Sequence, residues 1–238
     1  MIDTHCHLLW RLDDGPTTQM ASVDLARALL DQGIEAALCT PHYSKRFPTQ
    51  HAVARSRHEE FRRTLAEFGV DLRTEVAAEV GANLALSVPP DELSARSVRG
   101  FVLVELESGA DVSAPLLILQ RLDEHGLTPI LAHPERSRAV RDDPSVLDEV
   151  RDGGALVQVV ASSLAGRWGD AVSEGAWRLL NDGRVDVLAT DAHSAAGSVQ
   201  RLRGVLEGAT LRYGADAVDA LTVRTPAKVL ALRPAGSR

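Results

Sequence analysis

Thr128-Pro129-Ile130-Leu131-Ala132-His133-Pro134-Glu135-Arg136 joins a short apolar run to a histidine, a carboxylate and an arginine. A run of that length reads as a buried strand, and the ionisable residues stand just past its C-terminal end. The pattern recurs along the chain. Ile2 is the core of a first strand that leads into Asp3-Thr4-His5-Cys6-His7. Residues 34–39 run into Thr40-Pro41-His42, 72–78 into Glu79, 101–104 into Glu105, and 185–189 into Thr190-Asp191-Ala192-His193, with a further run at 156–160. Segments with apolar residues three and four apart lie between them, at 22–30, 53–68, 115–122, 146–150, 171–180 and 199–206. Gly33, Gly69, Gly126 and Gly153 or Gly154 follow helical segments at C-cap positions. Seven such βα units with right-handed crossovers predict a closed or nearly closed parallel barrel, all strand C-termini at one mouth. An open doubly wound sheet is the alternative. Ligands from at least six strand ends favour the ring, which alone gathers those ends about one centre.

At 238 residues and 45% hydrophobic content, the chain is close to the roughly 250 residues of one βα barrel. We therefore expect a single domain over 1–238, its tail from 215 onward forming a closing helix or two and Thr225-Pro226 beginning the last. A net charge of −7 disfavours a general nucleic-acid surface. Cys6 and Cys39 form no disulfide framework and are expected to be reduced. No signal-peptide pattern opens the chain, and no run approaches the roughly 20 apolar residues that cross a bilayer, so the expected compartment is the cytoplasm, without membrane insertion.

His5 and His7 share one side of a strand and can converge on one ion. Alone that pair is weak; the series is not. Asp3-x-His5-x-His7, Asp13-Asp14-Gly15, Thr40-Pro41-His42, Glu79, Glu105, His133-Pro134-Glu135-Arg136 and Asp191-Ala192-His193 resemble the polymerase and histidinol phosphatase (PHP) superfamily. Within it they look most like the bacterial manganese-dependent protein tyrosine phosphatases linked to capsule and exopolysaccharide synthesis. The resemblance covers residues 1 to about 200. It implies a distorted seven-stranded (β/α) barrel and three divalent ions, manganese first, with iron or zinc as alternatives. By motif position, His5, His7, Glu79 and Asp191 would hold one ion. Glu79 would bridge to a second held with Glu105 and His133, and Asp14, His42 and His193 would complete a third.

The implied reaction is hydrolysis of phosphotyrosine by a metal-activated water. Phosphate monoesters hydrolyse very slowly unaided, and paired ions about 3.5–4 Å apart supply both a nucleophile and charge neutralisation. Arg136 is the candidate phosphate-gripping residue, with its planar donor fork; His42 is a candidate to stabilise or protonate the phenolate leaving group. By resemblance the partner would be the tyrosine-rich tail of a bacterial tyrosine kinase; the sequence leaves the oligomeric state open. In the resembled phosphatases an arginine follows the last Asp-x-His motif at a fixed distance, where this chain has Ser198; either Arg201 or Arg203 reaches in from the following helix, or the second arginine contact is missing.

Other readings are weaker. His5-Cys6 followed by Arg11 is one residue short of the cysteine-phosphatase loop and lacks its glycines. With only Lys45 and Lys228, neither at a central strand end, a carbamylated-lysine amidohydrolase is disfavoured. A histidinol phosphatase would share the metals; a TatD-like nuclease or a catalytically inert regulatory barrel are rivals from other classes. His51, His58 and His125 are expected to be solvated, and Trp10, Trp168 and Trp177 too scattered for a nucleic-acid platform.

Overall fold

The computed structural model describes residues 1–107 and 109–232; the end of the expected domain and tail, 233–238, lies outside them. Among the described residues nine strands are formed: β1 (Ile2–Cys6), β2 (Ala36–Cys39), β3 (His42–Tyr43), β4 (Arg73–Val76), β5 (Glu79–Gly81), β6 (Phe101–Glu105), β7 (Thr128–Ala132), β8 (Leu156–Val160) and β9 (Val187–Ala189). They make two parallel sheets, β1-β2-β4 and β3-β5-β6-β7-β8-β9.

Two of the seven expected strands are each followed, past a two-residue break, by a further short strand. The chain leaves β2 through Thr40-Pro41 and resumes as β3, and leaves β4 through Ala77-Ala78 and resumes as β5. Pro41 has no N–H to give a ladder. The same two segments stay side by side across the breaks, since β2 pairs with β4 and β3 with β5. Ala77 N donates to Cys39 O at 3.0 Å and Glu79 N to Pro41 O at 3.2 Å, so the backbone bonding carries over.

The first strand meets the residues after the last. Asp191 N donates to His5 O at 2.9 Å and His7 N to Ala192 O at 2.8 Å, around a single parallel bridge between Cys6 and Ala192. Among the described residues no longer ladder joins β1 to β9. Buried Asp3 pins this seam: Thr190 N reaches its Oδ1 at 3.1 Å and Thr190 Oγ1 its Oδ2 at 2.5 Å.

Period-two alternation divides the core. Leu103 and Ile130 join Ile2, Leu38, Val229 and Leu230 in one buried cluster, whereas Val102, Val104 and Leu131 pack with Leu25, Phe61 and other helical residues in a larger one. The expected helical segments are helices, most of them longer than their apolar patterns: Gln19–Asp31, His51–Glu67, Ala114–Asp123, Val146–Asp152, Asp170–Asn181 and Ser198–Tyr213. At the Gly153-Gly154 pair, Gly154 takes the left-handed conformation, φ 95°. The last short helix begins at Thr225 as expected, but the tail reaches it through a helix at Ala215–Asp219 and a π-helical turn at Ala220–Arg224. His58 corrects an expectation: it is buried, with Nε2 2.9 Å from Thr74 Oγ1, and burial first, then Arg62, lowers its pKa to about 4.

Candidate metal centre

The strand ends carry the site. At the end of β1, His5 and His7 point one way while Cys6 turns aside and donates to Leu38 O at 3.3 Å; burial pushes its thiol pKa well up, which leaves it no nucleophile. His5 Nδ1 lies 2.8 Å from Gln158 Oε1, and His7 Nδ1 2.7 Å from Asp13 Oδ2. Each acceptor holds a proton on Nδ1 and leaves Nε2 to face the centre. The two Nε2 atoms are 3.3 Å apart. An ion about 2.0–2.1 Å from two imidazole nitrogens at a tetrahedral angle would separate them by about 3.3 Å.

Glu79, at the start of β5, stands in the middle. Its Oε2 is 3.2 Å from His5 Nε2, 3.3 Å from His7 Nε2 and 2.9 Å from His42 Nδ1, and its Oε1 is 2.9 Å from His133 Nε2. Yet buried Oε2 makes no hydrogen bond. A carboxylate oxygen shut away from water among three imidazole nitrogens, unbonded to any, suits a cation between them. Asp191 Oδ1 lies 3.4 Å from His5 Nε2, 3.5 Å from His7 Nε2 and 3.6 Å from His193 Nδ1. Asp14 Oδ1 is 3.5 Å from His42 Nε2 and 3.3 Å from His193 Nε2. Glu105 is 3.9 Å from both His42 and His133.

All nine expected ligands are thus brought together. Among the described residues they form four overlapping groups with ligand atoms within 4.8 Å of one another: His7, Asp14, His42 and His193; His5, Glu79 and His133; His5, His7 and Asp191; His42, Glu79 and Glu105. The overlap differs from the three sets implied by resemblance, for His7 also stands with the Asp14 group and His42 also faces Glu79 and Glu105.

The electrostatics follow from the crowding. Burial, the largest single influence, would raise Glu79 and Asp191, but their partners together outweigh it, His5 with His133 and His42 for Glu79 and His5 with His7 and Arg136 for Asp191, and hold both carboxyls well below their usual range. Glu105 goes the other way, to about 7, through burial and then the charge of Glu79. Burial, reinforced by Arg136, lowers His133 to about 4, which favours the neutral ring a metal requires. His133 and Asp191 also occupy left-handed backbone, φ 33° and 51°. Such conformations in residues other than glycine cost energy and gather at functional sites.

Arg136 borders the centre: Nη2 is 2.6 Å from Asp191 Oδ2 and 3.3 Å from Ser162 Oγ, and its guanidinium lies over the Trp168 ring at 4.3 Å. Above lies a cleft of about 630 Å³, bordered by Lys45, Phe47, His42, Glu105, Arg136 and Trp168 among others. Phe47 stacks on His42 at 5.5 Å. The expected substitutes for the missing arginine are a correction. Arg203 borders a separate groove with Gln32 and Leu211, and Arg201 is exposed and does not line the cleft.

Sequence reading places Asp3 and Asp13 in motifs but assigns them no role, names Trp168 only among scattered tryptophans, and does not single out Gln158. Gln158 left a signal, one amide inside an otherwise apolar run; Trp168 left none.

The chain matches the family model "Capsular polysaccharide synthesis, CpsB/CapC" over residues 1–231. It is 28% identical to tyrosine-protein phosphatase YwqE of Bacillus subtilis over 197 residues, 82% of this chain and 78% of that protein. With tyrosine-protein phosphatase CpsB of Streptococcus pneumoniae it shares 24% identity over 97% of this chain and 98% of that one. A crystal structure from work on YwqE and CpsB, described as unique metal-dependent tyrosine phosphatases, superposes with a TM-score of 0.85 at 26% identity, covering 97% of this chain and 94% of the other. Histidinol phosphate phosphatase from Lactococcus lactis shares the fold at 15% identity and a TM-score of 0.58, over 87% of this chain and 93% of its own. With the model spanning nearly the whole chain, the protein belongs to the CpsB/CapC family of capsular polysaccharide synthesis.

Proposed function

We propose that the protein is a metal-dependent protein tyrosine phosphatase whose nine clustered ligands hold three divalent ions, manganese first, with iron or zinc as competitors. The observation that carries this reading is Glu79 Oε2, buried and unbonded among three imidazole nitrogens, in a chain whose relatives are named tyrosine-protein phosphatases. Bound ions would supply a water of lowered pKa and Lewis acidity toward the phosphoryl oxygens. Gln158 and Asp13 orient His5 and His7; Glu79 spans the ligand groups and sets their spacing. Arg136, already beside Asp191, has its fork at the edge of the cleft where phosphoryl oxygens would lie. His42 faces Glu79 through Nδ1 and Asp14 through Nε2, and as a ligand there would help hold the ion that stabilises the departing phenolate. The proposed substrate is a phosphotyrosine protein, the tyrosine-rich tail of a bacterial tyrosine kinase, in cytoplasmic control of polysaccharide export. Among the described residues no helix is long and apolar enough to cross a membrane.

The test compares a phosphotyrosine peptide with histidinol phosphate, using metal-stripped protein reconstituted with manganese and a His5→Ala control. Peptide turnover requiring both manganese and His5 is expected. Turnover of histidinol phosphate alone would move the protein to a small-molecule phosphatase.

A further inference from the structure

We propose that Arg167 is a second phosphate-gripping residue of the cleft, its guanidinium binding the phosphoryl oxygens together with Arg136. The inference rests on the phosphatase reading and adds a residue to it. Arg167 lies in the turn that joins the short helix Ala161–Leu164, after β8, to helix Asp170–Asn181. Its N–H donates to Ser162 O at 3.0 Å, and Gly166 and Gly169, with φ 77° and 90°, bracket the Arg167-Trp168 pair. Two glycines in the left-handed region shape a turn that other residues would resist. The pair is presented to the cleft, which both side chains border.

Three observations point to an anion. The guanidinium reaches the loop that follows His193: a Cβ built on Gly197 would lie 3.9 Å from Arg167 Nη1 and 3.9 Å from Ser194 Oγ. The fork therefore stands beside the stretch that leads directly from two metal-ligand candidates, Asp191 and His193. Next, it is uncommitted. Among the described residues no hydrogen bond or ion pair engages the Arg167 side chain, whereas Arg136 is tied to Asp191 and Ser162 and Arg46 lies over the Phe47 ring at 4.8 Å. Third, the acidic groups bordering the cleft include Asp14, Glu105 and Asp191, which belong to the ligand groups. Ions bound there would offset that charge and leave the arginines to meet a phosphate dianion. Lys45 offers a point charge from the loop after β3, but a planar fork can take two phosphoryl oxygens at once.

The experiment measures inorganic phosphate binding to manganese-loaded protein by calorimetry. It also measures KM and kcat for a phosphotyrosine peptide and for p-nitrophenyl phosphate, in wild type, Arg167→Ala, Arg167→Lys and, as a control outside the cleft, Arg203→Ala. Arg167→Ala is expected to weaken phosphate binding and raise KM for both substrates by about tenfold, the scale of one charge-assisted contact. Lysine should recover part of the loss, Arg203→Ala should match wild type, and metal content and melting temperature should not move. Unchanged phosphate binding would return Arg167 to the solvated surface. A defect confined to the peptide would make it a polypeptide contact, and loss of metal would make its role structural; each overturns the proposal. Because phosphate binding needs no substrate, it tests Arg167 even if the peptide is not hydrolysed by wild type.

Discussion

Asp13 acts on the centre through His7. Its Oδ2 takes the His7 Nδ1 proton and the His42 N–H, at 2.7 and 3.0 Å, and its Oδ1 takes Gly15 N–H at 3.0 Å. Burial would raise its carboxyl, but the bond and charge of His7 and the two amides hold it at about 2. Removing such a partner typically weakens metal affinity by about 10- to 100-fold. Asp13→Ala is therefore expected to lose manganese in that range, read by competition with a chelator, while the isosteric Asp13→Asn, which keeps an oxygen facing His7, loses less; equal affinity in all three would deny Asp13 any part in orienting His7. Gly15 is constrained for a different reason. A Cβ there would meet His7 O at 2.8 Å and Asp13 Oδ1 at 3.0 Å, so Gly15→Ala must displace the loop that carries Asp13 and Asp14. The expected result is lowered metal content with little change in far-UV circular dichroism. Neighbouring Asp13 and Asp14 illustrate what a sequence can show at this scale. The motif marks the loop, but only the turn at Gly15 decides that Asp13 faces inward to His7 while Asp14 faces His42 and His193.

The seam between β1 and β9 depends on Asp3 as the ligand sphere depends on Asp13. Thr190 gives its N–H and hydroxyl to the Asp3 carboxylate, His5 N–H lies 3.2 Å from the same group, and all three residues are buried. Asp3→Ala would leave the Thr190 and His5 amides without an acceptor, each at a cost of about 1–3 kcal/mol. Urea unfolding should show that loss of stability, and manganese affinity should fall with it because the seam sets His5 against Asp191. A variant as stable as wild type would mean that the bridge at Cys6 and Ala192 suffices. The seven apolar runs and six helical patterns were legible as elements, since periodicity reports burial along one segment. The short strands β3 and β5 beyond Thr40-Pro41 and Ala77-Ala78 were not, because segments of two and three residues carry no periodicity, and ends were short where exposed helical turns carry no apolar signal. Nor could any one segment reveal that Gln158 of β8 holds a histidine of β1; that contact spans the chain.

At the scale of the whole molecule, protons and metal compete for one set of groups. In the metal-free protein, burial would lower His5 and His7, yet Glu79, Asp191 and, for His7, Asp13 outweigh it and raise both. A raised histidine contributes stability that is complete below its unfolded value of about 6.5 and is lost as pH climbs through the folded value. Glu105, raised to about 7, acts in the same direction, since its buried charge forms only as pH rises. The stripped protein should thus weaken as pH rises above about 6.5, as neutral imidazoles cease to offset the buried carboxylates. Metal binding runs opposite: ions must displace those protons, so affinity grows over the same interval, and ligand at 100 times its Kd adds about 2.7 kcal/mol. The gap in melting temperature between manganese-loaded and stripped protein is accordingly expected to widen with pH, with protons released on loading at the acid end. A gap that stayed constant, with no proton release, would show that His5 and His7 are already neutral in the stripped protein, and that the carboxylates at the strand ends are balanced by something other than the two imidazoles between them.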